Sequence, residues 1–337
     1  MGDTMLRIHF TNDDLARITV AAEPDPLWEV LLSLHLLQLP LGPLHYGRWR
    51  QHARSRLRGR AIQDLLELTP AHGYSPDFLT PTMTQPGQGL RAAIESLLTT
   101  PRHRVRHDLT ILAARTAASR WTRQLAEGGA DSMRRLGRSV HSYHRAAIAP
   151  YWSSIRSQVR VDHERRVDQL LAGGTDRLLS GLNPRVRWRS PVLEILDFAD
   201  TDLHLNGRGL RLQPSLFCWQ TPTKLRDDQL APVLVYPIEL APGMLQAADA
   251  TVGPGDSSAA VAALMGRTRG AMLEATAVGC TTTDLARRFG VSPAAASQHA
   301  TVLRDAGLIS TRRDGRCVIH EISPVGIALL DAPRTRR

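Results

Sequence analysis

Residues 281–322 read TTTDLARRFGVSPAAASQHATVLRDAGLISTRRDGRCVIHEI, and the order of signals in this stretch decides the fold of the C-terminal part. Thr281, Thr282 and Thr283 offer hydroxyls that can accept the free N–H groups of a helix start. Leu285, Ala286 and Phe289 follow at helical spacing. Gly290 ends that helix, because glycine enters the left-handed region without a Cβ penalty. Ser292-Pro293 opens the next helix with a favoured N-cap followed by proline at the first helical position. Over 293–306, Ala296, Ala300 and Leu303 share one face, with His299 at its edge. Ala294, Ala295, Ser297, Gln298 and Thr301 lie on the other side and are small or polar. Gly307 stops this helix, and two short strands at 308–311 and 317–322 flank the turn signal Asp314-Gly315. Helix, tight turn, helix and hairpin in this order spell a winged helix-turn-helix.

Such a module reads duplex DNA by setting its second helix in the major groove. Small side chains let that helix approach, and an amide such as Gln298 can pair with an adenine edge. Arg312, Arg313 and Arg316 cluster at the hairpin tip, where a wing meets phosphate. The candidate DNA-contacting set is therefore Thr282, Thr283, Ser292, Ala294, Ala295, Ser297, Gln298, Thr301, Arg312, Arg313 and Arg316. The plainer reading is a helix pair and hairpin with no nucleic-acid role.

The run LARRFGVSPAAASQHATVLRDAGLISTRRDGR resembles the DNA-binding core of ArsR-type transcriptional repressors, and LMGRTRGAMLEATAVG at 264–279 resembles their first core helix. The resemblance covers about 258–330. It implies a dimeric repressor on an inverted-repeat operator. Many ArsR-type proteins sense metals through paired cysteines before the turn, but here Cys280 stands alone, and soft-metal sites need several thiolate or imidazole ligands. No metal and no cofactor is expected.

The chain has 337 residues, a length that suggests two or three domains. Its formal charge of +10 favours a polyanionic partner. Lys224 is the only lysine, so the basic charge is almost all arginine, a bias that genome composition also produces. Three widely spaced cysteines, Cys218, Cys280 and Cys317, fit a reducing cytoplasm. No apolar run has the length of a membrane span.

In front of the winged helix the expected class is mainly α with small β parts (α+β). The domains read as an α-helical domain at 1–183, a small antiparallel β region at 184–240, a linker at 241–257, the winged helix at 258–330 and a basic tail at 331–337. Helices are expected at 26–39, 61–68, 90–98, 105–125, 132–149, 151–171 and 175–182. Strands are expected at 6–10, 185–188, 192–196, 203–205, 210–213, 216–219 and 233–238, with Asn206-Gly207-Arg208-Gly209 as a hairpin turn. Six arginines between Arg48 and Arg60 make either an accessory phosphate surface or a solvated helix face, and the latter is the simpler account.

The segments PLWE (26–29), YSPDFLTP (74–81), NPRVRW (183–188), GRGLRLQPSLFCW (207–219) and VYP (235–237) resemble a companion domain of actinobacterial ArsR-type regulators. That likeness transfers no catalytic residue. No G-x-S-x-G, H-E-x-x-H or phosphate loop is present, and Gly137 to His141 lacks the closing glycine of a nucleophile elbow. No enzymatic activity is expected. Tyr74, Trp152, Trp188, Trp219 and Tyr236 are core aromatics or the lining of a site for a small organic effector. The alternative to DNA regulation is a small-molecule-binding or enzymatic protein whose winged helix mediates protein–protein contacts.

Overall fold

The computed structural model describes residues 4–57, 59–81, 89–114, 119–239, 245, 265–314 and 317–331. The expected linker at 241–257 and the basic tail lie almost wholly outside them. The chain divides into two compact units, residues 1–39 with 52–240, and residues 40–51 with 241–337.

The first unit is mostly helical. Helix α1 (Asn12–Ala16) opens with a reciprocal cap, in which Asp14 Oδ2 accepts the Thr11 N–H at 2.8 Å and Thr11 Oγ1 accepts the Asp14 N–H at 3.2 Å. Helix α2 (Pro26–Gln38) starts on Asp25, whose carboxylate accepts the N–H groups of Leu27 and Trp28, with Pro26 at the first helical position. Helix α3 (Pro43–Arg56) spans the division, with 43–51 in the second unit, and helices α4 (Arg60–Leu68), α5 (Leu90–Leu98), α6 (Arg102–Ala113), α7 (Arg120–Ala126), α8 (Ala130–Tyr143) and α9 (Trp152–Ser180) follow in the first. The expected helix at 105–125 is two: α7 begins afresh where the Ser119 hydroxyl accepts the Thr122 N–H. Helix α8 does not run on to 149 as an α-helix. It widens into a π turn at His144–Ile148 just before Pro150, whose ring nitrogen has no hydrogen to donate. Gly173 and Gly174 leave helical geometry inside α9, at the break expected between two helices.

Two four-stranded sheets complete this unit, and both are mixed rather than antiparallel. In the first, β1 (Met5–His9) pairs antiparallel with β4 (Val192–Leu196) and parallel with β5 (Thr201–His204), while β3 (Val186–Arg189) covers the outer edge of β4. Alternation puts Leu6, Ile8, Leu193, Ile195 and Leu203 on the buried face. In the second, β6 (Arg211–Ser215) lies parallel to both β2 (Thr19–Val20) and β8 (Val233–Pro237), and β7 (Thr223–Lys224) pairs antiparallel with β8. The turn at Asn206–Gly209 is present, with positive φ at Asn206, Gly207 and Gly209. It joins strands of different sheets, so the expected hairpin does not form. Residues 216–219 are not a strand either, because their backbone turns away after β6 to meet a buried carboxylate.

That carboxylate is Glu29 of α2, which is fully buried. It accepts the Ser215 hydroxyl and the N–H groups of Leu216 and Phe217 at 3.0–3.1 Å. Asp77 likewise accepts the N–H groups of Arg226 and Asp227, and Asp14 that of Gly209. Buried backbone donors need partners, and where no strand supplies a carbonyl these acids do. Asp162 and Arg166 of α9 form a buried ion pair at 3.0 Å, and Asp162 also accepts the Tyr236 hydroxyl of β8 at 2.5 Å.

The second unit holds α10 (Arg267–Ala275), β9 (Cys280–Thr281), α11 (Thr282–Phe289), α12 (Pro293–Asp305), the strands β10 (Ile309–Asp314) and β11 (Cys317–Ile322), and α13 (Pro324–Asp331). Its core is one cluster of Met272, Leu273, Ala275, Leu285, Ala286, Ala296, Ala300, Leu303, Leu308, Ile309 and Leu330. Strands β10 and β11 form an antiparallel hairpin, and β9 pairs with the far side of β11. This is a winged helix.

Candidate nucleic-acid interface

Local sequence explains how α12 comes to be presented. Thr281 and Asp284 cap α11 reciprocally, and Gly290 closes it in the left-handed conformation at φ 61°. Ser292 then accepts the Ala295 N–H at 3.2 Å and starts α12. The tight turn packs Ala296, Ala300 and Leu303 onto Leu285 and Ala286. With that face spent on the core, Ala294, Ser297 and Gln298 are exposed and Ala295 and Thr301 half-buried. The outer face is thus small and polar near its N-terminal end, with one amide standing out from it.

The other candidates fall in different surroundings. Ser292 is exposed, although its oxygen serves the cap. Thr283 is exposed on the first turn of α11. Thr282 is half-buried, and its hydroxyl lies 2.9 Å from Nε2 of His320. His320 is buried in β11, and its Nδ1 lies 3.1 Å from the Thr311 hydroxyl. One imidazole therefore ties the start of α11 to both wing strands. Burial, with Arg304 nearby, holds its pKa below the ordinary histidine value. Arg312 is exposed on β10 and pairs with Glu321 of β11 at 3.0 Å. The Arg313 side chain and Arg316 lie outside the described residues.

Three residues join the surface that the sequence reading passed over. Val302 is 40 % exposed on α12, one turn beyond Gln298. Its spacing of four from Gln298 and eight from Ala294 puts it on the same helix face. Arg287 and Arg288 are exposed on α11. Arg287 pairs with Asp284 at 2.8 Å, and the Arg288 guanidinium lies over the Phe289 ring. His320 had no local signal at all, since its partners are 38 and 9 residues away.

Cys280 is half-buried, and its thiol is pushed up to about 11 by burial and by the Asp284 charge. It is not a poised nucleophile. Among the described residues no group of three or more His, Cys, Asp or Glu could hold a metal ion, and no described helix is long and apolar enough to cross a membrane. Of the aromatics named as a pocket lining, Tyr74 borders a cavity among the described residues. Trp188 donates to Asp176 and meets Phe10 edge-on, Tyr236 is bound to Asp162, and Trp152 meets the His144 ring. Trp219 is half-buried and does not line that cavity.

Residues 270–316 match the model of the MarR family. The chain therefore carries a MarR-family winged-helix domain near its C-terminus, a DNA-binding module. The matching family is not the ArsR type that the same residues resemble. No curated protein and no solved structure matches the chain.

Proposed function

We propose that this protein is a sequence-specific transcriptional regulator that acts as a dimeric repressor on an inverted-repeat operator. One observation carries the reading: in a MarR-family winged helix, the second helix keeps a small, polar outer face exposed, with Gln298 standing out from it. In this role α12 enters the major groove, Gln298 and Ser297 read base edges, and Arg312 at the wing grips phosphate. The ArsR-type companion segments are compatible with such a regulator. Two-fold symmetry sets the half-sites about one helical turn, roughly 10 bp, apart. Exposed Val325 on α13 is a candidate dimer contact.

Fluorescence anisotropy with the DNA upstream of its own gene tests the proposal. Saturable binding that weakens steeply with salt, and that a random duplex of equal length does not match, is the expected result. Equal affinity for both duplexes would reduce the protein to a non-specific DNA binder, and no binding to either would remove the regulator reading.

A further inference from the structure

The first unit contains a cavity of about 560 Å³, within the range of roughly 300–1,000 Å³ usual for small-molecule sites. Its apolar wall is Trp28, Leu31 and Leu32 of α2 together with Phe198. Its polar side is the segment Thr223 to Asp228 with the loop around Tyr74. Neither DNA recognition nor the core requires such a space.

The charges around it are unequally committed. Asp77 spends both oxygens on backbone N–H groups, at 3.1 Å from Arg226 and 2.7 Å from Asp227. Burial also lifts its pKa, which weakens it further as a ligand for cations. Asp228 reaches out to solvent and accepts from Lys224 at 2.7 Å. Lys224, the chain's single lysine, has a side chain only 9 % exposed. Two of its three donors go to Asp228 and to the Leu225 carbonyl, and the third has no acceptor among the described residues. The Arg226 guanidinium lies over the Tyr74 ring at 5.5 Å, with no carboxylate or carbonyl acceptor among the described residues. The nearby imidazole of His35 is bonded to Ser75 at 3.0 Å, and burial holds its pKa below the ordinary histidine value. Free donor capacity therefore belongs to the cations, facing an apolar wall.

We propose that this cavity binds a small organic anion with a flat apolar body, its ring against Trp28, Leu31, Leu32 and Phe198 and its carboxylate at Arg226 and Lys224. A guanidinium presents two parallel donors to a carboxylate, and the Tyr74 ring holds it in place for that contact. This is a function separate from DNA binding and does not depend on it.

Calorimetric titration of the full chain, without DNA, compares three probes with one body: 2-naphthoate, 2-naphthamide and 2-naphthylmethylammonium. The expected result is one saturable naphthoate site per chain, with the amide and the ammonium at least tenfold weaker. Arg226→Gln alters an exposed side chain and should lower naphthoate affinity at least fivefold while leaving the amide unchanged. Leu32→Trp fills the cavity and should abolish binding of all three, with far-UV circular dichroism confirming that the variant folds. Absence of saturable naphthoate binding at millimolar concentration overturns the proposal. So does equal affinity for the three probes, or naphthoate binding that Arg226→Gln leaves untouched.

Discussion

A glutamine side chain carries a donor and an acceptor side by side, the pattern that an adenine edge presents in the major groove. Gln298 holds that amide exposed on α12, beside side chains too small to obstruct its approach. Replacing it with alanine should flatten the preference at one base position by about 1–3 kcal/mol and leave affinity for random duplex nearly unchanged. A library of single-base operator variants measures this, and an unchanged ranking moves the reading face elsewhere. Arg312 has the opposite character. Arg312→Ala should weaken every sequence alike and reduce the slope of log affinity against log salt by about one, read from titrations at several salt concentrations. Glu321 competes with phosphate for the same guanidinium, so Glu321→Gln should tighten binding to any duplex. Gln298 and Arg312 were visible in the sequence because helical period and a hairpin turn place them. Glu29 and His320 were not. Glu29 finds its partners 186 to 188 residues away, and no local period announces a contact of that range.

At the level of elements, the winged helix was legible because each boundary is written in local chemistry. Thr281, Gly290 and Ser292-Pro293 are caps and turns that act within four residues. The sheets of the first unit obey a different rule. Strands β5 and β6 are neighbours in sequence with a good turn between them, yet they join different sheets, and each finds a parallel partner elsewhere. Parallel pairing leaves no turn signature, since its partners are joined by long crossovers. Gly209, in that turn, is fixed by more than its φ of 73°. A Cβ there would meet the Arg17 carbonyl oxygen at 2.5 Å, and the Gly209 N–H donates to Asp14. Gly290 also has positive φ, but a Cβ on it meets nothing within 4 Å. Gly290→Ala should therefore cost only the left-handed penalty, about 1–2 kcal/mol. Gly209→Ala adds a backbone clash and should cost more. Denaturant midpoints of the two variants, each read in its own unit, check the order.

Across the whole molecule, among the titratable groups that the first unit buries, Glu29 and His144 pull its stability in opposite directions with pH. Glu29 is fully buried, and loss of hydration raises its pKa to about 7 despite three hydrogen bonds to the carboxylate. His144, in the π turn, is pushed down to about 4 by burial and by His141. Between the unfolded carboxyl value of 4.5 and about 7, folded Glu29 holds a proton that the unfolded chain has released, so its contribution to stability falls as pH rises. Between about 4 and the unfolded histidine value of 6.5, the unfolded chain holds a proton that folded His144 refuses, so its contribution falls as pH drops. Each slope is about 1.4 kcal/mol per pH unit, and from about 4.5 to 6.5 the two cancel. Glu29→Gln should uncover the histidine, so that stability of the first unit rises by about that amount per unit relative to the parent across this window. His144→Phe should uncover the acid and give the reverse sign. In the winged helix, depressed His320 lowers stability as pH falls below the ordinary histidine value. Denaturant unfolding of the parent and both variants at pH 5.0, 5.5, 6.0 and 6.5, followed by a probe in the first unit, decides the matter. Equal slopes for all three proteins would show that neither buried group titrates with folding, and opposite displacements of the two variants would show that both do.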